Sequence, residues 1–308
     1  MLSKTLLHPA EFFMLTVTLV VSFIDIALVL ARGSTLDAAA YAMILGLAAL
    51  LIAVGYIYRQ LDRSEGIGAA TTCAGLFIAF TGATSLFNYL LLPNGRPTID
   101  HWVNGLDAAL GFSWPVAIAF GAAHPILNEI MRIAYMSTLP QIALLVVVLG
   151  LTGRLADLHG LLVTVTVAAL VTVAFWGLFP TTGPSALYAL PQDMLAKARP
   201  ILGPEYGAYV TSVIENGTPF LSPNDFRGLI AFPSFHTVLA CAAVYYARPI
   251  GWLFPPLVIV NLMILPAVVV HGGHYLVDIP AGMAVFLLSL LVARAMVRAG
   301  PARSRAPA

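Results

Sequence analysis

Apolar stretches long enough to cross a lipid bilayer recur along the whole of this chain. A hydrocarbon core about 30 Å thick needs roughly 20 mostly apolar residues per helix, and about eight segments of the sequence meet that demand. Only 9% of the residues are charged, which is too few to cover a water-facing surface. We therefore predict an all-α polytopic membrane protein.

Two polar stretches interrupt the apolar segments. Residues 93–136 mix acidic, histidine and tryptophan side chains, so we expect an interfacial or re-entrant helix pair there. Residues 180–227 form the longest polar stretch, and we expect this stretch to cap a functional site. The predicted spans are residues 12–31, 37–58, 67–92, 137–151, 161–179, 229–247, 252–270 and 275–297.

Three units are expected along the chain. Residues 1–66 should form two N-terminal transmembrane helices, residues 67–298 the main membrane domain, which the motifs below indicate to be catalytic, and residues 299–308 a frayed tail. The formal net charge of +1 gives no reason to expect a nucleic acid as partner.

The basic residues predict how the chain is oriented. With eight spans, the short loops on one side hold Arg59, Arg63, Arg154 and Arg248, whereas the short loop on the other side holds only Arg32. Cytoplasmic loops are enriched in Lys and Arg. Both termini should therefore be cytoplasmic, with the capping stretch on the periplasmic or lumenal face.

Two motifs at the mouths of apolar segments hold the polar residues that most need an explanation. Phe232-Pro233-Ser234-Phe235-His236 precedes one segment, and His274-Tyr275-Leu276-Val277-Asp278 opens another. Ionisable side chains at the edge of a bilayer are costly and usually mark a functional site. If the last span begins near residue 273, His274 and Asp278 share a helical face, and the carboxylate can accept a hydrogen bond from one ring nitrogen.

This arrangement suits phosphoryl transfer. The second ring nitrogen of His274 would be unprotonated, as a nucleophile attacking phosphorus must be, and Asp278 would stabilise the imidazolium that results. His236 would protonate the departing oxygen and then accept a proton from incoming water or alcohol. We predict His236, His274 and Asp278 as the catalytic residues.

The start of the helix with His236 is expected to bind phosphate. Pro233 suits the first turn of a helix, which would leave the backbone N–H groups of Ser234, Phe235 and His236 free to bind an anion.

Three cations of the predicted cap, Arg227, Lys197 and Arg199, are candidate clamps for the phosphate oxygens. The alternative is that they meet lipid head groups. His271 either contacts substrate or caps the preceding helix.

A metal site is the other possible use of these side chains. Zinc could be bound by His236, His271, His274 and Asp278, but their spacing matches no compact ligand motif. We therefore expect neither a metal nor another cofactor. Asp25 is isolated in the first segment, and we expect it to bond a neighbouring helix without a catalytic role.

The motifs resemble those of the type 2 phosphatidic acid phosphatase superfamily. The resemblance rests on Pro233-Ser234-x-His236, on His274-x-x-x-Asp278 and on the spacing between them, and it covers roughly residues 67–297. Residues 232–236 and the string His274-Tyr275-x-x-Asp278 are similar to the branch that contains inositol phosphorylceramide synthase and its bacterial relatives. The second string also resembles sphingomyelin synthase. Residues 106–115 and 177–180 are similar to the bacterial branch.

This resemblance implies a six-helix core, a metal-independent site on the non-cytoplasmic face of a bacterial inner membrane, and a phosphohistidine intermediate on His274. It also implies that Asp278 orients His274 and that His236 is the general acid.

The sequence departs from the superfamily's pattern at two places. Lys197 stands only two residues before Arg199-Pro200, closer than in that pattern, and Ala267 and Val268 occupy the positions of a Ser-Arg pair. Binding of a dianionic phosphomonoester would depend most on that arginine. Its absence therefore favours a singly charged phosphodiester substrate and head-group transfer.

Three functions are compatible with these patterns. The first is a membrane phosphotransferase that moves a phospho-head group from a phospholipid or other lipid phosphate to an alcohol or lipid acceptor. The second is a lipid phosphatase that uses water on a phosphatidate-like or prenyl pyrophosphate substrate. The third is a non-catalytic lipid-binding protein or a transporter with His236 and His274 as a proton relay, although the chain shows no internal repeat of the kind that transporters have.

Overall fold

The structure is a computed structural model in which residues 7–299 are described. The predicted tail, apart from its first residue, lies outside the described residues. Within the described range the chain is mostly helical, with a single two-stranded sheet. The elements are α1 (Pro9–Arg32), β1 (Thr35–Leu36), α2 (Ala38–Gln60), α3 (Glu65–Leu90), α4 (Asp100–Ala109), α5 (Trp114–Ala123), α6 (Pro125–Met136), α7 (Thr138–Leu151), α8 (Leu155–Leu178), α9 (Pro184–Leu187), α10 (Gln192–Ala198), α11 (Pro204–Asn216), β2 (Phe220–Leu221), α12 (Phe235–Ala247), α13 (Phe254–His271) and α14 (Asp278–Ala299).

Six of these helices are each long and apolar enough to cross a membrane, namely α1, α2, α3, α8, α13 and α14. The pair α6 and α7, bent by 49°, is long and apolar enough for a crossing only when the two helices are taken together, and α12 is an apolar helix of 13 residues in the middle of the bundle. The predicted all-α polytopic fold is therefore confirmed, with α1 and α2 placed ahead of a six-span core. The end of the bundle at which α12 and α14 begin is called the site end below.

Several predicted boundaries are wrong. The fifth span begins at Leu155 in α8 and not at residue 161, whereas the fourth, residues 137–151, agrees with α7. The sixth span begins at Phe235 and not at residue 229, since Ser234 caps the helix there. Residues 93–136 contain the bent pair α4 and α5, with an angle of 69° between them, as well as α6.

Helix α12 is at the centre of the bundle and packs against α7, α8, α13 and α14. Its buried face is rich in small residues, including Ala240, Ala242 and Ala243, which let neighbouring backbones approach closely. Large apolar side chains such as Leu161 and Leu253 fill the spaces around it. The start of α12, with the partly buried His236, is therefore surrounded by other helices of the bundle.

The two N-terminal helices pack on α3 and face outward with exposed apolar side chains. Glu11, buried near the start of α1, makes a two-pronged salt bridge with Arg59 of α2, with distances of 2.6 and 2.8 Å. The Nε2 atom of His159 in α8 lies 3.2 Å from the same carboxylate. These contacts bind α1 and α2 to the core at the end opposite the site end.

Residues 180–227 form the cap, which contains three short helices, α9 to α11, and strand β2. This strand pairs in parallel with β1, Thr35 standing opposite Phe220. The N–H of Leu202 donates to the carbonyl of His271 at 2.9 Å. The cap therefore packs directly on the turn between α13 and α14.

Candidate active site

His274 lies in the turn that joins α13 to α14. Gly273 has a φ of +60°, a left-handed conformation that glycine adopts without strain, and it redirects the chain after α13. The N–H of Tyr275 donates to Oδ2 of Asp278 at 2.9 Å. Because α14 begins only at Asp278, the prediction that His274 and Asp278 share a helical face is wrong. The tight turn brings their side chains together instead.

Two further carboxylates fix the same turn. Asp107 of α4 accepts the N–H groups of Leu276 at 2.8 Å and Val277 at 3.0 Å. Asp100 accepts the hydroxyl of Tyr275 at 2.7 Å, together with two backbone N–H groups of the cap. The turn is therefore held from the sides of α4 and the cap, and His274 has little freedom to move.

The hydrogen bonds of His274 determine its tautomer. Its Nδ1 atom lies 2.7 Å from the carbonyl oxygen of Ala231 and 3.0 Å from Oδ2 of Asp278. A carbonyl oxygen only accepts, so Nδ1 must hold the proton. The Nε2 atom is then unprotonated, and it lies 3.4 Å from the Ser234 hydroxyl, which can donate to it.

Burial also keeps the imidazole neutral. His274 is 2% exposed and Asp278 is fully buried. Burial lowers the pKa of His274 to about 4, and the hydrogen bond to Ala231 partly opposes that change. A neutral ring with an available Nε2 lone pair is the form that a nucleophile requires.

The start of α12 differs from the prediction. Pro233 lies before the helix and not in its first turn, because Ser234 is the N-cap residue and its hydroxyl accepts a backbone N–H of the first turn. The N–H of Ser234 is already bonded to the carbonyl of Asp278 at 3.2 Å. Within the described residues, the N–H groups of Phe235 and His236 have no acceptor. These two donors at a helix N-terminus suit an anion.

His236 faces the other histidine from α12. The centroids of the His236 and His274 rings are 6.0 Å apart, and the His236 ring stacks on Tyr135 of α6 at 4.3 Å. A glycine makes this approach possible, since any side chain at Gly282 of α14 would collide with the carbonyl of Ser234. The structure therefore brings His236 of α12 close to His274 and Asp278, which lie in the turn before α14 and at its first residue.

The three predicted cationic clamps are not in contact with the histidines. Arg227 is exposed, and its guanidinium lies 5.2 Å from the centre of the Tyr209 ring. Lys197 and Arg199 are exposed at the end of α10. Among the described residues, no hydrogen bond or ion pair joins any of the three to His236 or His274.

His271 is the last residue of α13 and is fully buried. Its Nε2 atom lies 3.0 Å from the carbonyl oxygen of Asn128 in α6, and its own carbonyl accepts from the cap. This side chain thus joins α13 to another helix and does not cap its own. Its Nδ1 atom is buried and has no partner within the described part of the chain.

Sequence reasoning missed four residues that support the site: Ala231, Asp100, Asp107 and Tyr135. Ala231 acts through its backbone carbonyl, which no side-chain pattern reveals. The two aspartates had a signal, because acidic residues in an apolar chain are costly, but the sequence did not show which N–H groups they bind.

One group of metal-ligand side chains is found in the described residues, and it lies away from the histidine site. Atoms of Glu11, Cys73 and His159 are within 4.8 Å of one another. The carboxylate of Glu11 is already bonded to Arg59 and His159, so we interpret this group as a structural contact.

Comparison with known proteins identifies the family. A family model described as the PAP2 superfamily matches residues 101–292, which is more than half of the chain and includes both motifs. Comparison with curated proteins and with solved structures gave no match. The chain belongs to the PAP2 superfamily, the type 2 phosphatidic acid phosphatases, and is an enzyme of the phosphatase or phosphotransferase type with lipid phosphates as its general class of substrate.

Proposed function

We propose that this protein is a membrane phosphotransferase that moves a phospho-head group from a donor lipid to an alcohol or lipid acceptor through His274. The observation that supports this most strongly is the double hold on Nδ1 of His274 by Ala231 and Asp278. It leaves Nε2 as the only nucleophilic nitrogen of the ring, on the side of Ser234 and His236.

The proposed reaction has two half-reactions. In the first, the Nε2 lone pair of His274 attacks phosphorus, the bond from phosphorus to the leaving oxygen breaks, and protonated His236 gives its proton to that oxygen. In the second, neutral His236 takes the proton of the acceptor hydroxyl, whose oxygen attacks phosphorus and releases His274. Asp278 stabilises the charge on His274 while the phosphorus is bound to it.

Several hydrogen-bond donors near the two histidines are free to bind a phosphate group. The N–H groups of Phe235 and His236 begin α12, where the helix dipole favours an anion. The hydroxyls of Thr237 and Ser185 are buried without a partner in the described residues. Ser234 contacts Nε2 of His274 and would meet the same phosphate.

Transfer is favoured over hydrolysis by the burial and charge of the site. His274, Asp278 and Ser234 are almost completely buried beneath the cap, which limits access of water to the reacting phosphorus. No cation contacts the two histidines among the described residues, and Ala267 and Val268 are buried apolar residues. A singly charged phosphodiester suits such a site better than a dianionic phosphomonoester. This supports placing the protein with the inositol phosphorylceramide synthase-like branch of the superfamily.

Four outer residues complete the proposed substrate contacts. Arg227, Lys197 and Arg199 would meet the head group where it leaves the site beneath the cap, and His271 would offer its unpaired Nδ1. Because Arg227 is exposed, Arg227→Ala should raise KM by about threefold to tenfold with little change in kcat. An unaltered KM would remove Arg227 from the substrate contacts.

The proposed location follows from the loop charges. The site would face the periplasm of a bacterial inner membrane, with both termini in the cytoplasm. Blocking of a cysteine introduced in the cap by an impermeant reagent added outside intact cells would support this orientation. Blocking only after the cells are opened would contradict it.

Product analysis tests the proposed function. Purified protein is incubated with phospholipids labelled in the head-group phosphate, together with candidate alcohols and lipid acceptors. Transfer predicts a labelled phosphodiester whose formation depends on the acceptor, and His274→Ala should abolish it. If released head-group phosphate is the only product with every acceptor, the protein is a lipid phosphatase and the transferase proposal fails.

A further inference from the structure

A buried acidic residue in α1 has no partner. Asp25 is 2% exposed, while its neighbours Ile24 and Ile26 are exposed on the outside of the helix. Neither carboxylate oxygen of Asp25 has a hydrogen-bond partner among the described residues. The expectation that this side chain bonds a neighbouring helix is therefore wrong, and a buried charge without compensation is costly.

The side of α3 that faces α1 has further oxygen atoms without a hydrogen-bond partner. Oγ1 of Thr84 and Oδ1 of Asn88 are buried without a partner in the described part of the chain. Helical threonines elsewhere in the bundle, such as Thr18 and Thr72, donate to the carbonyl four residues earlier, at 2.8 Å. Thr84 makes no such bond, so its hydroxyl is available to another group.

A contact at the other end of α1 places Asp25 beside these two residues. Glu11 of α1 lies 3.9 Å from Cys73 of α3, and the two helices run in the same direction. Asp25 follows Glu11 by 14 residues in α1, and residue 87 follows Cys73 by 14 residues in α3. Asp25 is therefore level with residue 87, between Thr84 and Asn88. Asp25 is close to a whole number of helical turns from Glu11, and Thr84 and Asn88 are close to a whole number of turns from Cys73, at about 3.6 residues per turn. These three side chains therefore lie on the sides of α1 and α3 that face each other.

Tyr41 of α2 reaches the same level. A Cβ on Gly82 of α3 would lie 3.3 Å from Ile44 of α2. Since α2 runs opposite to α3, Tyr41, about one turn nearer the site end, is level with residue 85. Its hydroxyl is also buried without a partner among the described residues, and it lies within electrostatic range of Asp25.

The donor atoms at this level share one chemistry. Two carboxylate oxygens, one amide oxygen and two hydroxyl oxygens, from Asp25, Asn88, Thr84 and Tyr41, face the same layer of the bundle. Oxygen-only sets bind hard cations. Ligand oxygens at about 2.4 Å from a cation are separated from one another by roughly 3.4 Å, so they need not hydrogen-bond to each other. No such bond is present.

The charge of the set indicates the charge of the ligand. The carboxylate of Asp37, about one turn beyond Tyr41, already accepts the N–H of Ala40 and the hydroxyl of Ser222. Asp25 is thus the carboxylate at this level that has no partner among the described residues. One positive charge therefore neutralises it, whereas calcium sites usually combine several carboxylates. We propose that Asp25, Thr84, Asn88 and Tyr41 form a binding site for a monovalent cation of the size of Na⁺.

A cavity leads toward this site from the site end. It has a volume of about 700 Å³ and is lined by Tyr89 and Leu90, the two residues that follow Asn88. Arg32 also lines the cavity, about two turns beyond Asp25, and its guanidinium donates to the carbonyl of Leu92. The cavity therefore opens about one turn from Asn88, on the side of the site end, and the four proposed ligands lie beyond its lining.

Salt-dependent unfolding tests the proposal without reference to catalysis. The midpoint of thermal unfolding of the purified full-length protein is measured in NaCl, KCl and an organic-cation chloride at constant ionic strength. A bound ion predicts a saturable rise with Na⁺, and K⁺ should need at least about tenfold higher concentration for the same rise. Asp25→Asn should abolish the Na⁺ dependence, and Asp225→Asn, which changes an exposed carboxylate of the cap, should retain it.

A second variant covers the case in which Asp25→Asn does not fold. Thr84→Val keeps the carboxylate and the shape of the side chain but removes one oxygen, and should raise the Na⁺ concentration at half effect by about tenfold or more. Equal midpoints for the wild type in all three salts would overturn the proposal, as would an unchanged Na⁺ response in Asp25→Asn. Stabilisation by acid alone, with no response to Na⁺, would assign Asp25 a proton and overturn it as well.

Discussion

The histidine site and the N-terminal helices bury their carboxylates in different ways. In the histidine site, Asp107 and Asp278 accept backbone N–H groups of the turn from Tyr275 to Val277, so their charge fixes the position of His274. In the N-terminal helices, Glu11 is paired with other side chains, whereas Asp25 is paired with none of the described ones. Backbone pairing builds a rigid site, whereas an unpaired carboxylate leaves room for a ligand.

Removing the carboxylate behind His274 should have the largest effect on turnover. Asp278→Asn retains the shape of the side chain but loses the charge that stabilises the imidazolium, and kcat should fall by about 10²- to 10⁴-fold. Rates are measured on folded protein, with Asp225→Asn in the exposed part of the cap as the matched control. A loss of kcat below about threefold would mean that the Ala231 carbonyl alone orients His274. It would contradict the claim that the buried charge of Asp278 builds the site.

The N-terminal carboxylates should affect stability and not turnover. Glu11→Gln removes the carboxylate that pairs with the partly buried Arg59, so the free energy of unfolding should fall by about 3 kcal/mol. Asp25→Asn removes an unpaired charge, so in potassium salt it should cause no loss. Denaturant titration in mixed micelles measures both values, and kcat/KM of the folded fraction should equal that of the wild type. Equal losses of unfolding free energy for the two variants would show that the ion pair of Glu11 stabilises the protein no more than the unpaired Asp25 does.

Asp107 should affect the rate without touching the substrate. Asp107→Asn weakens the acceptors for Leu276 and Val277 and lets the turn with His274 shift. Since one charge-assisted hydrogen bond contributes about 1.5 kcal/mol, kcat should fall about tenfold while KM stays unchanged. A rise in KM at constant kcat would instead place Asp107 among the substrate contacts.

Protonation of His274 should have the smallest effect of those predicted here, because it should leave kcat/KM almost unchanged between neutral and slightly acidic pH. Burial lowers the pKa of His274 to about 4, so the neutral nucleophile persists through the slightly acidic range, and kcat/KM should lose this group only as the pH falls through about 4. The unfolded chain binds a proton at the usual value near 6.5. The stability that burial of neutral His274 contributes is therefore complete above that value and lost as the pH falls from it toward 4.

Unfolding midpoints of the wild type and His274→Asn between pH 4 and 7 measure this contribution. His124→Asn, which changes an exposed histidine, serves as the control. A midpoint difference between wild type and His274→Asn that is constant with pH would contradict the lowered pKa of His274.

The sequence predicts the spans better than the contacts between them. Hydropathy located the long helices because twenty apolar residues in a row have few other uses. It assigned no span to α6, where Glu129 and Arg132 form an exposed pair on the polar side of the helix. The hydrogen bond from His274 to Asp278 followed from spacing, although a turn and not a helix provides it.

The remaining contacts of the site depend on tertiary packing. Ala231 is 43 residues from His274 in the sequence, and Asp107 is 169 from Leu276. Which carbonyl or which N–H meets a given side chain across such separations depends on how α4, the cap and α14 pack. The stacking of Tyr135 on His236 has the same origin. Residue types could indicate that these groups matter, but not which partners they have.

Trapping the covalent intermediate tests the role of His274 most directly. Wild-type protein is mixed with a lipid labelled in its head-group phosphate, quenched in alkali within one turnover, and digested for mass spectrometry. The proposed mechanism predicts an acid-labile, alkali-stable phosphate adduct on the peptide with His274 and none in His274→Ala. An adduct on another residue, or undiminished turnover by His274→Ala, would contradict it.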